Sequence, residues 1–221
     1  MNPYDVKHTI AMRAARELKD GQVVNLGIGI PTFVPQYIPK GISVTLHGEN
    51  GILGFGPQPS MQTIDDNIFD AGGASVSILP GGCFLNSAES FALVRSGRVD
   101  VTILGALQVD AQGNLANWTI PGKMTVGFGG AMDLVCCAKT VIVAMAHTNK
   151  GKPKIMRNCT LPLTGSNCVR YIVTEMAFME VTSDGIILRE VAEGLTAADV
   201  QNATEAELIV PAHIGVMPIV S

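Results

Sequence analysis

One carboxylate stands apart from the other acids of this chain because glycines surround it. Glu49 lies in Gly48-Glu49-Asn50-Gly51, directly after residues 42–46, where apolar and polar residues alternate as in a half-buried strand. Glycines permit backbone conformations and close approaches that larger residues prevent, so a substrate could reach this acid from several directions. Such a carboxylate is either a nucleophile or a turn residue that accepts hydrogen bonds from its own backbone. Position and spacing alone favour the turn residue.

Two further glycine-containing segments have residues suited to binding anions. Gly27 and Gly29 follow a predicted strand and precede a predicted short helix, but a missing third glycine and Pro31 make them a weak dinucleotide signal. The segment from Gly127 to Gly130 opens a predicted helix, where backbone N–H groups could bind an anion or a developing oxyanion. Tight turns that need a positive φ explain both segments equally well, so both interpretations stay open.

The cysteines and histidines give no support to a metal site. The five cysteines form no C-x-x-C pair, and without a visible secretion signal we expect free, mostly buried thiols. Cys136 and Cys137 are adjacent in an apolar stretch and are predicted to be small core residues. Of the four scattered histidines only His47 lies near Glu49, and Gly48 between them weakens the inference that they share a face.

The elements that would position these residues alternate between helical and strand periods. Apolar residues at positions 6, 10, 14 and 18 predict an amphipathic first helix that ends near Gly21. The pattern further predicts strands at 23–28, 43–47, 74–79, 99–104 and 140–146, helices at 87–96 and 131–138, hairpin turns at 110–113 and 182–185, and a helix-capping box at 196–199. Residues 57–67 are predicted to form a loop. This order predicts one α/β domain over residues 1–221, with a mixed, largely parallel sheet flanked by helices.

Composition limits the class of partner. The 221-residue chain is 47% hydrophobic and 15% charged, with 24 glycines and a formal net charge of −4. This low charge predicts extensive surface buried against another chain, and the lack of a basic cluster argues against nucleic acid or an anionic membrane surface. The apolar runs are too short to span a bilayer, and with no visible signal peptide we expect a cytoplasmic protein.

Five segments, in the same order along the chain, resemble motifs of the class I CoA-transferases. They are residues 25–31, 49–54, 116–123, 129–135 and 159–165. The resemblance runs from about residue 6 to beyond residue 200. It is specific to the β subunit of the two-subunit bacterial enzymes, which corresponds to the C-terminal half of the fused succinyl-CoA:3-ketoacid CoA-transferase.

The resemblance implies a role for each site residue. Glu49 would attack an acyl-CoA carbonyl, and a mixed anhydride and then a glutamyl-CoA thioester would follow in a ping-pong exchange. Gly130 matches the backbone donor to the oxyanion, and Asn25 and Asn117 match asparagines that contact substrate or CoA. The other motif residues expected to bind substrate or CoA are Gly27, Gly29, Asn50 and Gly129. CoA would be substrate and covalent intermediate, with no permanently bound cofactor and no metal.

The resemblance also implies a second subunit and a class of substrate. A CoA-transferase α subunit would supply part of the CoA-binding surface in a heterotetramer of two α and two β subunits. Residues 118–123 look like the branches that use short-chain acyl-CoA with acetate, butyrate, acetoacetate or succinate. One departure is Gly48, where relatives usually carry Ser; it puts rate and substrate tuning in question rather than the reaction class.

Two other functions are compatible with parts of the sequence. A non-catalytic CoA- or nucleotide-binding subunit would keep the glycine turns without needing Glu49 as a nucleophile. A sugar-phosphate isomerase of related architecture would need a general base and a basic phosphate site, and no Lys or Arg cluster lies beside these glycine segments. The motifs taken together favour the transferase over both.

Overall fold

The chain forms a large mixed sheet with helices on both faces, and the computed structural model describes residues 2–220. The strands within this range are β1 (Val23–Leu26), β2 (Thr45–Gly48), β3 (Ile52–Phe55), β4 (Ile78–Phe84), β5 (Val101–Leu104), β6 (Gln108–Asp110), β7 (Leu115–Ala116), β8 (Thr119–Ile120), β9 (Met124–Thr125), β10 (Thr140–Ala144), β11 (Thr148–Asn149), β12 (Lys152–Pro153), β13 (Ile155–Met156), β14 (Tyr171–Val173), β15 (Ala177–Thr182), β16 (Gly185–Ala192), β17 (Leu208–Ile209) and β18 (Gly215–Met217). The helices are α1 (Pro3–Ala15), a 3-10 helix (Ile30–Tyr37), α2 (Ser87–Arg95), α3 (Ala131–Cys137) and α4 (Ala197–Asn202).

The centre of the main sheet is parallel and its two edges are mixed. Strands β14, β10, β5, β1 and β2 are parallel neighbours in that order. At one edge β3 and β4 continue the sheet antiparallel, and at the other β15 and β16 do so, with β17 and β18 parallel to β16. The predicted fold class, a mixed and largely parallel sheet flanked by helices, is confirmed.

The sheet separates two apolar cores because side chains alternate between its faces along each central strand. In β10, Val141 and Val143 join a core with apolar residues of α2, α3 and α4. Ile142 and Ala144, between and after them, join a second core with apolar residues of α1 and the 3-10 helix. We call these the α2–α3 face and the α1 face. This alternation assigns the side chains of the central strands to one face or the other.

Most predicted elements are present with shifted bounds, but one edge of the sheet was predicted wrongly. The hairpins at β6–β7 and β15–β16 are present, and Thr196 and Asp199 form the predicted capping box. The first helix ends at Ala15, before Gly21. The strand predicted at 74–79 lies instead at β4, and β3 was not predicted at all. Both strands contain glycine, which weakens their strand pattern, and pairing with each other within the sheet overrides local propensity.

The prediction of mostly buried cysteines is wrong. Cys83 and Cys136 are exposed, and the other three are half-buried. On α3, Cys137 packs against the core of the α2–α3 face while Cys136 points outward, because adjacent helix residues point in different directions. Burial raises the pKa of Cys159 to about 12 and that of Cys168 to about 11, so both remain protonated thiols at neutral pH.

Candidate active site

Glu49 lies in the turn of the hairpin that joins β2 to β3. The Gly51 N–H donates to the Gly48 carbonyl at 3.0 Å and closes this turn. Gly51 has a φ of 117°, and a Cβ there would lie 2.2 Å from the Leu85 carbonyl oxygen, so this position requires glycine. The Glu49 side chain is half-buried, and its carboxylate accepts a hydrogen bond from Asn25 of the neighbouring strand β1. Within residues 2–220 no backbone N–H of the turn donates to this carboxylate.

Three buried polar side chains lie side by side on adjacent strands next to Glu49. His47 of β2 and Thr102 of β5 are the register partners of Asn25, and all three have 0% exposure. Thr102 donates from its hydroxyl to Asn25 Oδ1 at 3.1 Å, which turns Asn25 Nδ2 toward Glu49 Oε2 at 3.1 Å. The reverse amide orientation would place an oxygen against the carboxylate. Both partners therefore fix the side chain of Asn25 as a donor to Glu49.

Helix α2 covers this row of polar side chains and contacts the backbone of Glu49. The helix begins with a reciprocal capping box between Asn86 and Glu89, which fixes its start and places Ser90 over the hairpin. Ser90 is fully buried, donates to the Glu49 carbonyl oxygen at 3.0 Å, and lies 3.0 Å from His47 Nε2. Burial lowers the pKa of His47 to about 4, so its imidazole is uncharged at neutral pH. Glu49 is thus held by β1 at its carboxylate and by α2 at its carbonyl.

Gly130, at the start of α3, lies against the side chain of Glu49. A Cβ at this position would lie 3.1 Å from Glu49 Cγ and 3.0 Å from two ring carbons of Phe91. Gly130 has a φ of −85°, which any residue adopts, so the requirement here is for space. Residues 121–129 before it are exposed, whereas Gly130 itself is buried. The structure thereby brings Glu49, Asn25 and Gly130 together from three separate segments of the chain.

Two of the other predicted site residues use their side-chain amides within the chain. Asn50 is exposed and donates from Nδ2 to the Phe69 carbonyl at 2.7 Å. Asn117 accepts from the Thr164 hydroxyl at 2.6 Å and donates to the Gly105 carbonyl at 3.2 Å. These bonds shape the loops around the site, and the structure does not place Asn117 in hydrogen-bonding contact with Glu49.

The remaining predicted site glycines are required for different structural reasons. Gly27 donates its N–H to the Ile103 carbonyl at 2.8 Å, and a Cβ there would lie 3.0 Å from the Leu104 side chain, so it is needed for strand packing. Gly29 is exposed, has a φ of 83° and precedes the 3-10 helix. Gly129 is exposed with a φ of 47°. For Gly29 and Gly129 the positive φ alone accounts for glycine.

Three residues of this site were missed from the sequence, and one of them carried a signal. Thr102 is a polar residue within the apolar run of β5, between Val101 and Ile103, which face the α1 side. A polar residue in a buried apolar strand is expected to be hydrogen-bonded, and this is the signal that could have identified it. Ser90 and Phe91 in α2 have no comparable signal, because nothing local shows that this turn of the helix lies over Glu49.

Gly48 faces away from His47, as strand alternation requires. It lines a cavity of about 560 Å³ on the α1 face, together with Leu26 and Leu46 of the sheet and Phe33 of the 3-10 helix. A Cβ at Gly48 would lie 2.6 Å from Asn50 Oδ1. The glycine therefore leaves room for Asn50 to fold back over the hairpin.

Neither a metal centre nor a membrane-spanning helix is found in the described part of the chain. Residues 2–220 contain no group of three or more His, Cys, Asp or Glu side chains that could hold a metal ion. None of the helices in the same range has the length and hydropathy needed to cross a lipid bilayer.

Comparison with known proteins gives a consistent result along the chain. Residues 7–203 match the family model of coenzyme A transferase. The acetate CoA-transferase subunit beta of Escherichia coli is 48% identical over 211 residues, which cover 95% of this chain and 96% of that protein. The human mitochondrial succinyl-CoA:3-ketoacid coenzyme A transferase 2 is 49% identical over 203 residues. That match covers 90% of this chain but 39% of the human protein.

Solved structures share the fold at lower identity. The apoenzyme structure of an acyl-CoA transferase from Escherichia coli matches this chain with a TM-score of 0.77 and 22% sequence identity. The structure of its thioester complex with CoA matches with a TM-score of 0.76 and 20% sequence identity. Each match covers 98% of this chain and 44% of that chain. At these identities the likeness shows a common fold, and the chain spans less than half of that longer protein.

Proposed function

The chain belongs to the coenzyme A transferase family, and from this premise we propose that Glu49 is the nucleophile that carries CoA from one acid to another. The observation that carries the proposal is the placement of the Glu49 carboxylate. It is half-buried, held by Asn25 on one side, and in contact with the backbone of Gly130 on the other. A positioned carboxylate of this kind can divide one difficult exchange into easier covalent steps.

The first half of the reaction forms an enzyme-bound thioester. A carboxylate oxygen of Glu49 attacks the carbonyl carbon of acyl-CoA, the C–S bond breaks, and a mixed anhydride and CoA thiolate result. The thiolate then attacks the glutamyl carbonyl carbon, and the acyl group leaves as a free carboxylate. The second acid attacks the resulting glutamyl-CoA thioester and reverses these steps, leaving as its own CoA ester.

The hydrogen bonds of Glu49 distinguish its two carboxylate oxygens. Oε2 accepts from Asn25 Nδ2 at 3.1 Å, and within residues 2–220 Oε1 has no hydrogen-bond partner. We assign Oε1 as the attacking atom, because its lone pairs need not give up a protein donor during the attack. Asn25 holds the group in place without neutralising it.

The oxyanion of each tetrahedral intermediate needs a fixed donor. The backbone of Gly130 lies beside Glu49 Cγ, and its lack of a side chain leaves that approach open. We assign its N–H as a donor to the developing oxyanion; a donor of this kind contributes roughly 3–4 kcal/mol where one has been removed from other enzymes. This role predicts a loss of rate rather than of substrate binding when the segment shifts.

A second subunit would complete the site. Segments that flank Glu49 expose large apolar side chains: Ile28 (62%), Phe69 (45%), Val126 (63%) and Phe128 (46%). Covering such side chains removes apolar surface from water, as in the core of a protein interface. An α subunit seated here, in a heterotetramer of two α and two β subunits, would shield them and contribute to CoA binding. We expect this chain alone to be inactive.

Two similar relatives support a class of substrate. One is described as an acetate CoA-transferase and another as a succinyl-CoA:3-ketoacid transferase. We propose a short-chain acyl-CoA as donor and a carboxylic or 3-keto acid of the acetate, butyrate, acetoacetate or succinate class as acceptor.

Mass spectrometry of the α/β complex after incubation with acyl-CoA alone tests the proposal. A CoA adduct is expected on the peptide that contains Glu49, and Glu49→Gln should lack it. Glu193→Gln removes an exposed carboxylate outside the site and should keep the adduct. If Glu49→Gln exchanges CoA at the wild-type rate and no adduct forms on the wild-type complex, the proposal is wrong.

A further inference from the structure

We propose that His47 is a positioning residue of this site, with its ring proton on Nε2, and that it closes a hydrogen-bonded ring which holds Glu49 at both its carboxylate and its backbone carbonyl. The ring runs from Glu49 through Asn25, His47 and Ser90 back to Glu49. The inference rests on the proposed role of Glu49 and adds a residue that touches neither substrate nor the reacting atoms.

The direction of each hydrogen bond follows from the one before it. The Glu49 carbonyl oxygen can only accept, so Ser90 must donate its single hydroxyl proton to it at 3.0 Å. The Ser90 oxygen can then only accept from His47 Nε2, which lies 3.0 Å away. His47 must therefore carry its proton on Nε2. The other tautomer would leave this contact without a proton.

The second ring nitrogen of His47 fits the same assignment. Nδ1 lies 3.3 Å from Asn25 Nδ2, which is a donor because Thr102 occupies the amide oxygen. An unprotonated Nδ1 accepts there, whereas an imidazolium would set two donors against each other. The lowered pKa of His47 agrees with the uncharged form. Asn25 shares its two amide protons among Nδ1, the His47 carbonyl and Glu49 Oε2.

The ring connects a strand and a helix whose relative position determines where Glu49 lies. His47 belongs to β2 and Ser90 to α2, and each controls a different end of Glu49. Removing His47 leaves the Ser90 oxygen without its donor and one side of Asn25 without its acceptor. Because misplacement of a reacting group by about 1 Å can cost roughly 100-fold in rate, we expect the effect on rate rather than on substrate affinity.

A second buried histidine supplies a matched control. His147 also has 0% exposure, and its ring nitrogens lie 2.9 Å from the hydroxyls of Thr174 and Thr204. Burial lowers its pKa to about 4, as for His47. Thr174 follows β14 and Thr204 follows α4, so the hydrogen bonds of this imidazole lie outside the ring around Glu49. Comparing the two separates the loss of a buried, hydrogen-bonded histidine from the loss of positioning.

The test measures the rate of thioester formation in a single turnover of the α/β complex with acyl-CoA. His47→Leu should lower this rate by about 100-fold with a KM changed by less than about threefold. The amide nitrogen of Gln in His47→Gln can donate to Ser90, so this variant should form the thioester at least about tenfold faster than His47→Leu. His147→Leu should reduce thermal stability about as much as His47→Leu does. Its rate of thioester formation per folded enzyme should stay within about threefold of the wild-type rate.

Nitrogen NMR of the wild-type α/β complex with labelled histidine tests the same claim without a substitution. His47 should show a protonated Nε2 and an unprotonated Nδ1. A protonated Nδ1, or a wild-type rate in His47→Leu, would overturn the inference. Failure of the proposed function is distinguishable, since in that case Glu49→Gln itself would retain exchange whatever the tautomer of His47.

Discussion

Two acids, Glu49 and Asp110, lie at hairpin turns and have opposite surroundings. Asp110 Oδ1 accepts from the backbone N–H groups of Gln112 and Asn114 at 3.1 and 3.0 Å. Its Oδ2 accepts from the Asn114 side chain and the Cys159 N–H, both at 2.9 Å. Both oxygens of Asp110 are therefore engaged, by its own turn and by the Cys159 N–H. The Glu49 carboxylate accepts one hydrogen bond, from Asn25 of β1, and within the described chain its second oxygen has no partner.

This difference distinguishes a structural acid from the proposed nucleophile. A carboxylate saturated by nearby N–H groups stabilises a turn and offers no lone pair to a substrate. A carboxylate with one free oxygen, held from a distance, is available to react. Local sequence is similar in the two turns, since each places an acid shortly before glycine. What differs is that backbone N–H groups donate to both oxygens of Asp110, whereas within residues 2–220 the Glu49 carboxylate accepts only from Asn25 of β1.

Replacing Glu49 should have the largest effect on catalysis and little effect on folding. Glu49→Gln keeps the size of the side chain and an acceptor for Asn25 but removes the proposed nucleophile. We expect exchange by the α/β complex to fall by at least about 10⁴-fold, with the thermal transition unchanged. Steady-state exchange and calorimetry measure the two quantities. If Glu49→Gln exchanges CoA at a rate within tenfold of the wild-type rate, Glu49 is a turn acid like Asp110.

Gly130→Ala should have the next largest effect. The added methyl group would lie 3.1 Å from Glu49 Cγ and 3.0 Å from Phe91, so the nucleophile or α3 must shift. We expect kcat to fall by roughly 100-fold with a smaller change in KM, because the donor to the oxyanion moves away from its target. Gly129→Ala is a useful contrast, since a Cβ there meets open space and the cost is a strained φ of 47°. Equal losses in both variants would argue against a specific contact between Gly130 and Glu49.

The sequence predicted what local rules govern and missed what distant contacts decide. The turns at Gly113 and Gly185 and the capping box at Thr196 were found because each depends on a few adjacent residues. Glu49 and Gly130 were recognised from motifs, yet no spacing rule could show that Gly130 lies against Glu49. The positions of Ser90 and Thr102 beside the nucleophile depend on how α2 and β5 pack, which local patterns do not encode.

Gly48→Ser should have a small effect that acts through Asn50. The serine Cβ would lie 2.6 Å from Asn50 Oδ1, the end of a flexible side chain, so Asn50 must rotate and lose its bond to the Phe69 carbonyl. An exposed hydrogen bond of this kind contributes about 0.5–1.5 kcal/mol, and we expect kcat/KM to change by less than about threefold. In an Asn50→Ala background the same substitution should change nothing further. A large additional loss there would show that residue 48 acts directly on substrate.

Asp110→Asn should leave exchange unchanged and lower stability instead. The substitution removes the acceptor for the Asn114 side chain or for the Cys159 N–H, in a position that is 2% exposed. We expect the free energy of unfolding to fall by about 1–3 kcal/mol, while kcat per folded enzyme is preserved. Denaturant unfolding and active-site titration measure this. A lower kcat with unchanged stability would show that the two acids are not as different as their contacts indicate.

The fate of carboxylate oxygen tests the role of Glu49 most directly. When an acid labelled with oxygen-18 attacks the glutamyl-CoA thioester, one labelled oxygen bridges the anhydride and stays on Glu49 as the acyl group passes to CoA. Turnover of the α/β complex with labelled acid should therefore add about two mass units to the peptide that contains Glu49 for each oxygen exchanged. The peptide that contains Asp110 should stay unlabelled. Full exchange of CoA with no label on Glu49 would contradict its assignment as the nucleophile.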